Sequence, residues 1–140
     1  DLAAEADFCN LQFPASVAVT QGSATPPVYG RIFEAGLTEA AGDSGSVLAE
    51  LGAGPTSVDP TLASGWLFLP AVYNVQVGND DEYAASFVAP AVAVATTFSY
   101  TFRMSFDGGF NFTYCDLDGA GANAGLIFDS TQLGAMLVNP

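Results

Sequence analysis

The chain contains no histidine and no lysine, and its only side-chain cations are Arg31 and Arg103. Without an imidazole there is no general base of the kind that serine and cysteine hydrolases use, and without lysine the Ser-Lys variant is also excluded. Against the two arginines stand 15 Asp and Glu, for a formal net charge of −13 among 140 residues. Nucleic-acid backbones are held by Lys and Arg that displace counterions, so no nucleic-acid partner is expected. Anionic membrane surfaces are disfavoured by the same sign argument. No run of about 18 apolar residues occurs, so no membrane insertion is expected. No basic segment followed by an apolar stretch opens the chain, so any signal peptide is expected to have been removed or to lie outside it.

What is present is a foldable core. Half of the residues are hydrophobic, and this length matches one ordinary domain able to bury a core without metals or several disulfides. We therefore expect a single domain over residues 1–140. Its start at Asp1 and its end at Pro140 read as a cut from a longer exported protein. A charge of this size keeps a domain soluble and favours a monomer. The acids are spread along the whole chain, which fits adaptation to salty surroundings, where about 0.5 M salt shortens screening to a few ångströms. Two cysteines, Cys9 and Cys115, lie near opposite ends. With neither metal-ligand spacing nor a C-x-x-C pair, they are expected to form a disulfide in an oxidising compartment, secreted or at the cell surface.

The periodicity is that of strands. Val17–Thr20, Val28–Phe33, Val47–Leu51, Trp66–Leu69, Tyr73–Val77, Tyr83–Val88, Thr97–Phe106, Phe110–Cys115 and Ala135–Val138 are each bounded by Gly, Pro or Asp. In the clearest of them Phe98, Tyr100, Phe102, Met104 and Phe106 alternate with polar residues, so they share one face. That face is expected inward with Ile32, Leu48, Val75 and Val77. Asp107-Gly108-Gly109 reads as a hairpin turn. Only Leu37–Ala41 and Ser130–Leu133 suggest helical turns. Strands at this spacing predict an all-β sandwich.

The series Tyr73-Asn74, Gly78-Asn79-Asp80-Asp81-Glu82-Tyr83, Ser99–Arg103, Asp107-Gly108-Gly109 and Tyr114-Cys115-Asp116-Leu117-Asp118-Gly119 resembles immunoglobulin-like and fibronectin-III-like modules of exported bacterial multidomain proteins. The resemblance implies an immunoglobulin-like β-sandwich of about 7–9 antiparallel strands. It also implies a non-catalytic extracellular module acting as a spacer, folding unit or interaction surface. The alternative is a carbohydrate-binding module attached to a secreted hydrolase. The partner would be a polysaccharide or a protein.

Several motifs bear on that choice. Gly42-Asp43-Ser44-Gly45-Ser46 resembles the nucleophile motif of chymotrypsin-like proteases, but the missing histidine leaves it a turn. Paired carboxylates could serve glycoside hydrolysis, yet acids in Gly- and Asn-rich turns stay solvated with ordinary pKa values, so no enzyme is expected. Trp66, with Tyr73 or Tyr83, is the candidate stacking platform for a sugar ring; the competing expectation is burial of Trp66 among Leu67, Phe68 and Leu69. The arginines, flanked by aromatics and outnumbered by acids, are expected in ion pairs or cation–π contacts. Asn111-Phe112-Thr113 fits a glycosylation sequon but falls within an expected strand. Asp116, Asp118 and Asn123 place oxygens along a Gly-rich loop, and Asp80 and Asp81, beside Asn79 and Glu82, form a second acidic cluster. If the two loops met at one end of the sandwich they would suit calcium, which takes six to eight oxygens. Otherwise no cofactor is expected.

Overall fold

A computed structural model describes residues 4–62, 64–122 and 126–140. The chain is all-β, with two sheets packed face to face. The strands are β1 (Phe8–Phe13), β2 (Ser16–Thr20), β3 (Val28–Phe33), β4 (Leu48–Pro55), β5 (Leu67–Pro70), β6 (Val72–Val77), β7 (Asp80–Ala85), β8 (Thr96–Ser105), β9 (Thr113–Tyr114) and β10 (Gly134–Asn139). The first sheet runs β1-β3-β7-β6 and the second β2-β10-β8-β4-β5, with β9 paired to the C-terminal half of β8. The only helical segment among the described residues is a 3-10 turn at Pro60–Leu62; 37–41 and 130–133 are turns and bends.

The chain changes sheets twice without a long connection. It does so across the cis peptide Phe13–Pro14, between β1 and β2, and again at Ala71, between β5 and β6. β2 pairs with β10 in parallel, so the sandwich is not wholly antiparallel as expected. β1, the N-terminal strand that carries Cys9, has no clear bounds in the sequence: it buries Cys9 and Leu11 on its inner face, but the phenylalanines at both its ends blur the alternation.

The core lies between the sheets. From β8 it takes Tyr100, Phe102 and Met104, with Phe98 and Phe106 partly buried against it; Ile32, Leu51, Val28, Met136 and Val138 meet them. Three expected core residues fall elsewhere. Leu48 is half-buried because β4 turns Ala49 and Leu51 inward instead. Val75 is 45% exposed, because a bulge between Tyr73 and Val75 shifts the pleat by one residue. The same shift leaves Val77 only half-buried and points Gln76 inward, opposite Asp81. A one-residue slip of this kind moves every later side chain to the other face.

The disulfide is formed. Cys9 and Cys115 have α-carbons 5.0 Å apart and a sequence separation of 106. The segment after β9 lies along the outer edge of β1: Cys9 and Ala120 exchange backbone hydrogen bonds, and the Leu11 amide donates to the Asp116 carbonyl at 2.8 Å. The 107–112 segment does not make a tight hairpin. Asp107 organises it by accepting hydrogen bonds from the Asn111 amide at 2.9 Å and from the Ser105 hydroxyl at 2.8 Å. The return strand is thereby cut to Thr113–Tyr114.

Candidate functional site

Three features of the surface and its lining carry chemistry. The first is an aromatic ladder on the outer face of the second sheet. Gly52 and Gly54, which the sequence suggests as strand ends, lie inside β4. Their missing side chains make room for rings: a Cβ at Gly54 would stand 2.5 Å from the Trp66 ring, and one at Gly52 would collide with Phe68. Trp66 and Phe68 stack with centroids 6.0 Å apart. Beyond them the Arg103 guanidinium lies 3.7 Å from the Phe68 centroid and 4.0 Å from that of Phe112. Its Nε donates to Glu50 at 2.6 Å. Arg31, on the other sheet, donates to Glu82 at 2.9 Å. Both arginines are thus held by glutamates opposite them on neighbouring strands.

The second feature is an apolar cleft of about 550 Å³ at one end of the sandwich. Leu67 and Leu69 of edge strand β5 form one wall, Phe98 and Met136 line its depth, and Phe87 and Val88 of the β7–β8 connection form the other wall. Along β5 the inner side of the second sheet is not fully covered by the first, and Leu67 is left 82% exposed. None of these side chains carries a polar hydrogen-bonding group.

The third feature is a set of buried oxygens at the other end, beneath the β3–β4 loop (34–47). Tyr83 on β7 donates from Oη to Asp43 Oδ1 at 3.1 Å. Burial pushes the Tyr83 hydroxyl well above its ordinary range, and the Asp43 charge adds to it. Asp81, two residues earlier and on the same face, is 0% exposed. Burial raises its carboxyl above the ordinary carboxylate range; the nearby Ser44 amide pulls it partly back, and the charges of Asp43 and Asp80 push it up again. A buried carboxyl with a raised pKa beside other charged groups is a candidate functional group.

The residues singled out from sequence fall differently. Trp66 is 5% exposed and donates from Nε1 to the Val58 carbonyl at 2.8 Å; Tyr83 is 3% exposed. Neither offers the open ring face that sugar stacking needs, and half-buried Tyr73 packs edge-on against Tyr83. Asp116 is fully buried, with Oδ2 accepting from the Asp129 amide at 2.7 Å, while Asp118 is exposed. Asn123 lies outside the described residues. Asp80 points away from Asp81 and is half-buried. Among the described residues no group of three or more acidic, cysteine or histidine side chains gathers as a metal site. The Gly42–Ser46 motif is a turn, with Gly45 at φ +70° donating its amide to Asp43 Oδ1 at 3.0 Å. Sequence reading passed over Gln76 and the cleft residues Phe87 and Val88. Only the bulge in β6 turns Gln76 inward, and only the meeting of β5 with the β7–β8 connection makes the cleft. The sequence matches no known protein family and no curated protein.

Proposed function

We propose that this chain is a non-catalytic, immunoglobulin-like β-sandwich module of an exported protein, and that it works as an interaction surface. Strand order supports the immunoglobulin reading: named in that fashion, the first sheet is A-B-E-D and the second G-F-C-C′, with β2 added at the G edge. Two features depart from the antibody pattern. The disulfide joins β1 to the segment after β9 rather than B to F, and the buried tryptophan precedes β5 rather than lying on β4. A disulfide is compatible with export.

The observation that carries the interaction reading is the apolar cleft beside edge strand β5. An edge strand offers unpaired backbone groups to a further strand, and pockets beside it select alternate side chains. The occupant we assign is an extended segment of a partner protein with apolar side chains facing the cleft. Its flanks are neutral or basic, because the module's charge of −13 repels acidic ones. Sugars fit less well, since they need polar side chains as well as a ring face, and the cleft's walls supply none.

The test is a peptide array of extended sequences alternating apolar and basic residues, probed with the intact protein at moderate salt. Retention is expected, and Leu67→Asp should abolish it without changing the melting midpoint, because Leu67 is already solvent-exposed. Retention on polysaccharide columns with no peptide binding would replace this reading with the carbohydrate-binding one.

A further inference from the structure

One cross-strand row on the inner face of the first sheet runs Cys9, Ile32, Asp81, Gln76. Directly opposed residues share a face and bring their β-carbons within about 5.5 Å. The first two are ordinary core residues; the last two leave oxygens without partners. Neither carboxylate oxygen of Asp81 has a hydrogen-bond partner among the described residues, and the side chain is completely buried. The Ser44 amide acts on it electrostatically without reaching hydrogen-bonding geometry. Gln76 commits its amide nitrogen to the carbonyls of Thr38 at 2.8 Å and Gly78 at 3.0 Å. That fixes the amide's orientation, and its Oε1 is likewise buried without a partner. The β3–β4 loop adds Asp43, whose Oδ1 is held by Tyr83 and Gly45.

All of these unsatisfied atoms are acceptors, so what completes them must be a donor or a cation. Neither arginine serves: Arg31 is paired with Glu82, which points away from Asp81 on β7, and Arg103 belongs to the other sheet. One proton on Asp81, donated to Gln76, would satisfy that oxygen pair. It would leave the second Asp81 oxygen orphaned. A divalent cation satisfies them together. Carboxylate and amide oxygens, with no nitrogen or sulfur, select a hard ion of the calcium type.

We propose that Asp81, Gln76 and Asp43 hold a calcium ion beneath the β3–β4 loop. Asp81 supplies two oxygens, Gln76 Oε1 a third and Asp43 a fourth; water and backbone carbonyls complete the six to eight that calcium takes. The donor set is two carboxylates and one amide rather than three acids. It is distinct from the Asp116–Asp118 loop and gives the Gly42–Ser46 turn a role: it delivers Asp43 over the row and ties the loop to β6 and β7. The proposal is independent of the cleft at the opposite end.

The experiment uses terbium as a calcium substitute, excited through the neighbouring Tyr73 and Tyr83, together with melting curves in chelator and in millimolar calcium at matched ionic strength. Calcium should raise the midpoint and quench the terbium emission by displacement. Asp81→Asn should abolish both signals, Asp43→Asn should weaken them, and Asp118→Asn should leave them intact. If Asp81→Asn does not fold, Asp43→Asn decides the question, because Asp43 is exposed. Equal midpoints in chelator and calcium would overturn the site. So would a calcium shift untouched by Asp43→Asn. Wild-type indifference to calcium, combined with a higher midpoint for Asp81→Asn at neutral pH, would assign a proton to the pocket instead.

Discussion

Phe102 on β8 presses its ring against the α-carbon of Gly30 on β3, across the space between the sheets: a Cβ at Gly30 would stand 2.6 Å from the ring. This contact sets how closely the two sheets approach at the centre of the core. Phe102→Ala should cost about 3–5 kcal/mol, the usual range for a phenylalanine removed from a packed interior. Gly30→Ala should cost about 1–3 kcal/mol by overpacking. Urea denaturation with unchanged m-values measures both. A loss below about 1 kcal/mol for Phe102→Ala would mean that the cavity closes by relaxation, contrary to this packing.

The Cys9–Cys115 bridge closes a loop of more than a hundred residues and clamps the last third of the chain to β1. Reduction should lower stability by up to about 4.7 kcal/mol on the loop-entropy account, and by less where the unfolded chain keeps structure. Intact mass without reductant should be two hydrogens below the reduced value. Thiol labelling of the unfolded, unreduced protein at both cysteines would disprove the bridge.

Arg103 is a stacking residue as much as an ionic one. Its guanidinium is sandwiched between two rings while Glu50 holds one edge. Lysine keeps the charge but has no plane to stack, so Arg103→Lys should lose about 1–2 kcal/mol. Because the contact is largely sheltered, most of that loss should persist in 1 M salt. A loss that vanished in salt would reduce the contribution to a screened surface ion pair.

Two aspartates should respond to pH in opposite senses. Hydrogen bonds from the Asn111 amide and side chain and from the Ser105 hydroxyl hold Asp107 down at about 2, against an ordinary 3.8. Its folded pKa is depressed, so its contribution is present above the ordinary value and is lost as pH falls toward 2. Asp107→Ala should therefore be less stable than wild type at pH 6, with the difference disappearing near pH 2. Asp81 is raised by burial, so the folded state binds its proton more tightly than the unfolded chain does. In chelator, stability should fall as pH rises above 3.8 through that window. Asp81→Asn should flatten this slope in melting curves taken from pH 3.5 to 7. An unchanged slope would place the response in the general charge repulsion instead.

The sequence by itself determined the all-β class, most strand positions and the inward face of β8, because an alternation of period two can bury only one set of side chains. It also determined the bridge between the two cysteines and the pairing of both arginines with acids, since each had few alternatives. Other features depended on contacts between residues far apart in the chain. Gly52 and Gly54 read as strand breakers until Phe68 and Trp66 are laid over them, where the absence of a side chain becomes a requirement for the strand. Val75 reads as core until the bulge in β6 reverses the pleat. Asp43 reads as part of a protease decoy, Asp81 as one acid of a candidate calcium cluster with Asp80 and the Asp116–Asn123 loop, and Gln76 only as part of a strand. Only the pairing of β6 with β7 sets Asp81 opposite Gln76 in the interior, with Asp43 of the β3–β4 loop close enough for its charge to act on Asp81. A periodic pattern reports which way a side chain points along its own strand; what it meets there is set by register and by loops folded over from elsewhere.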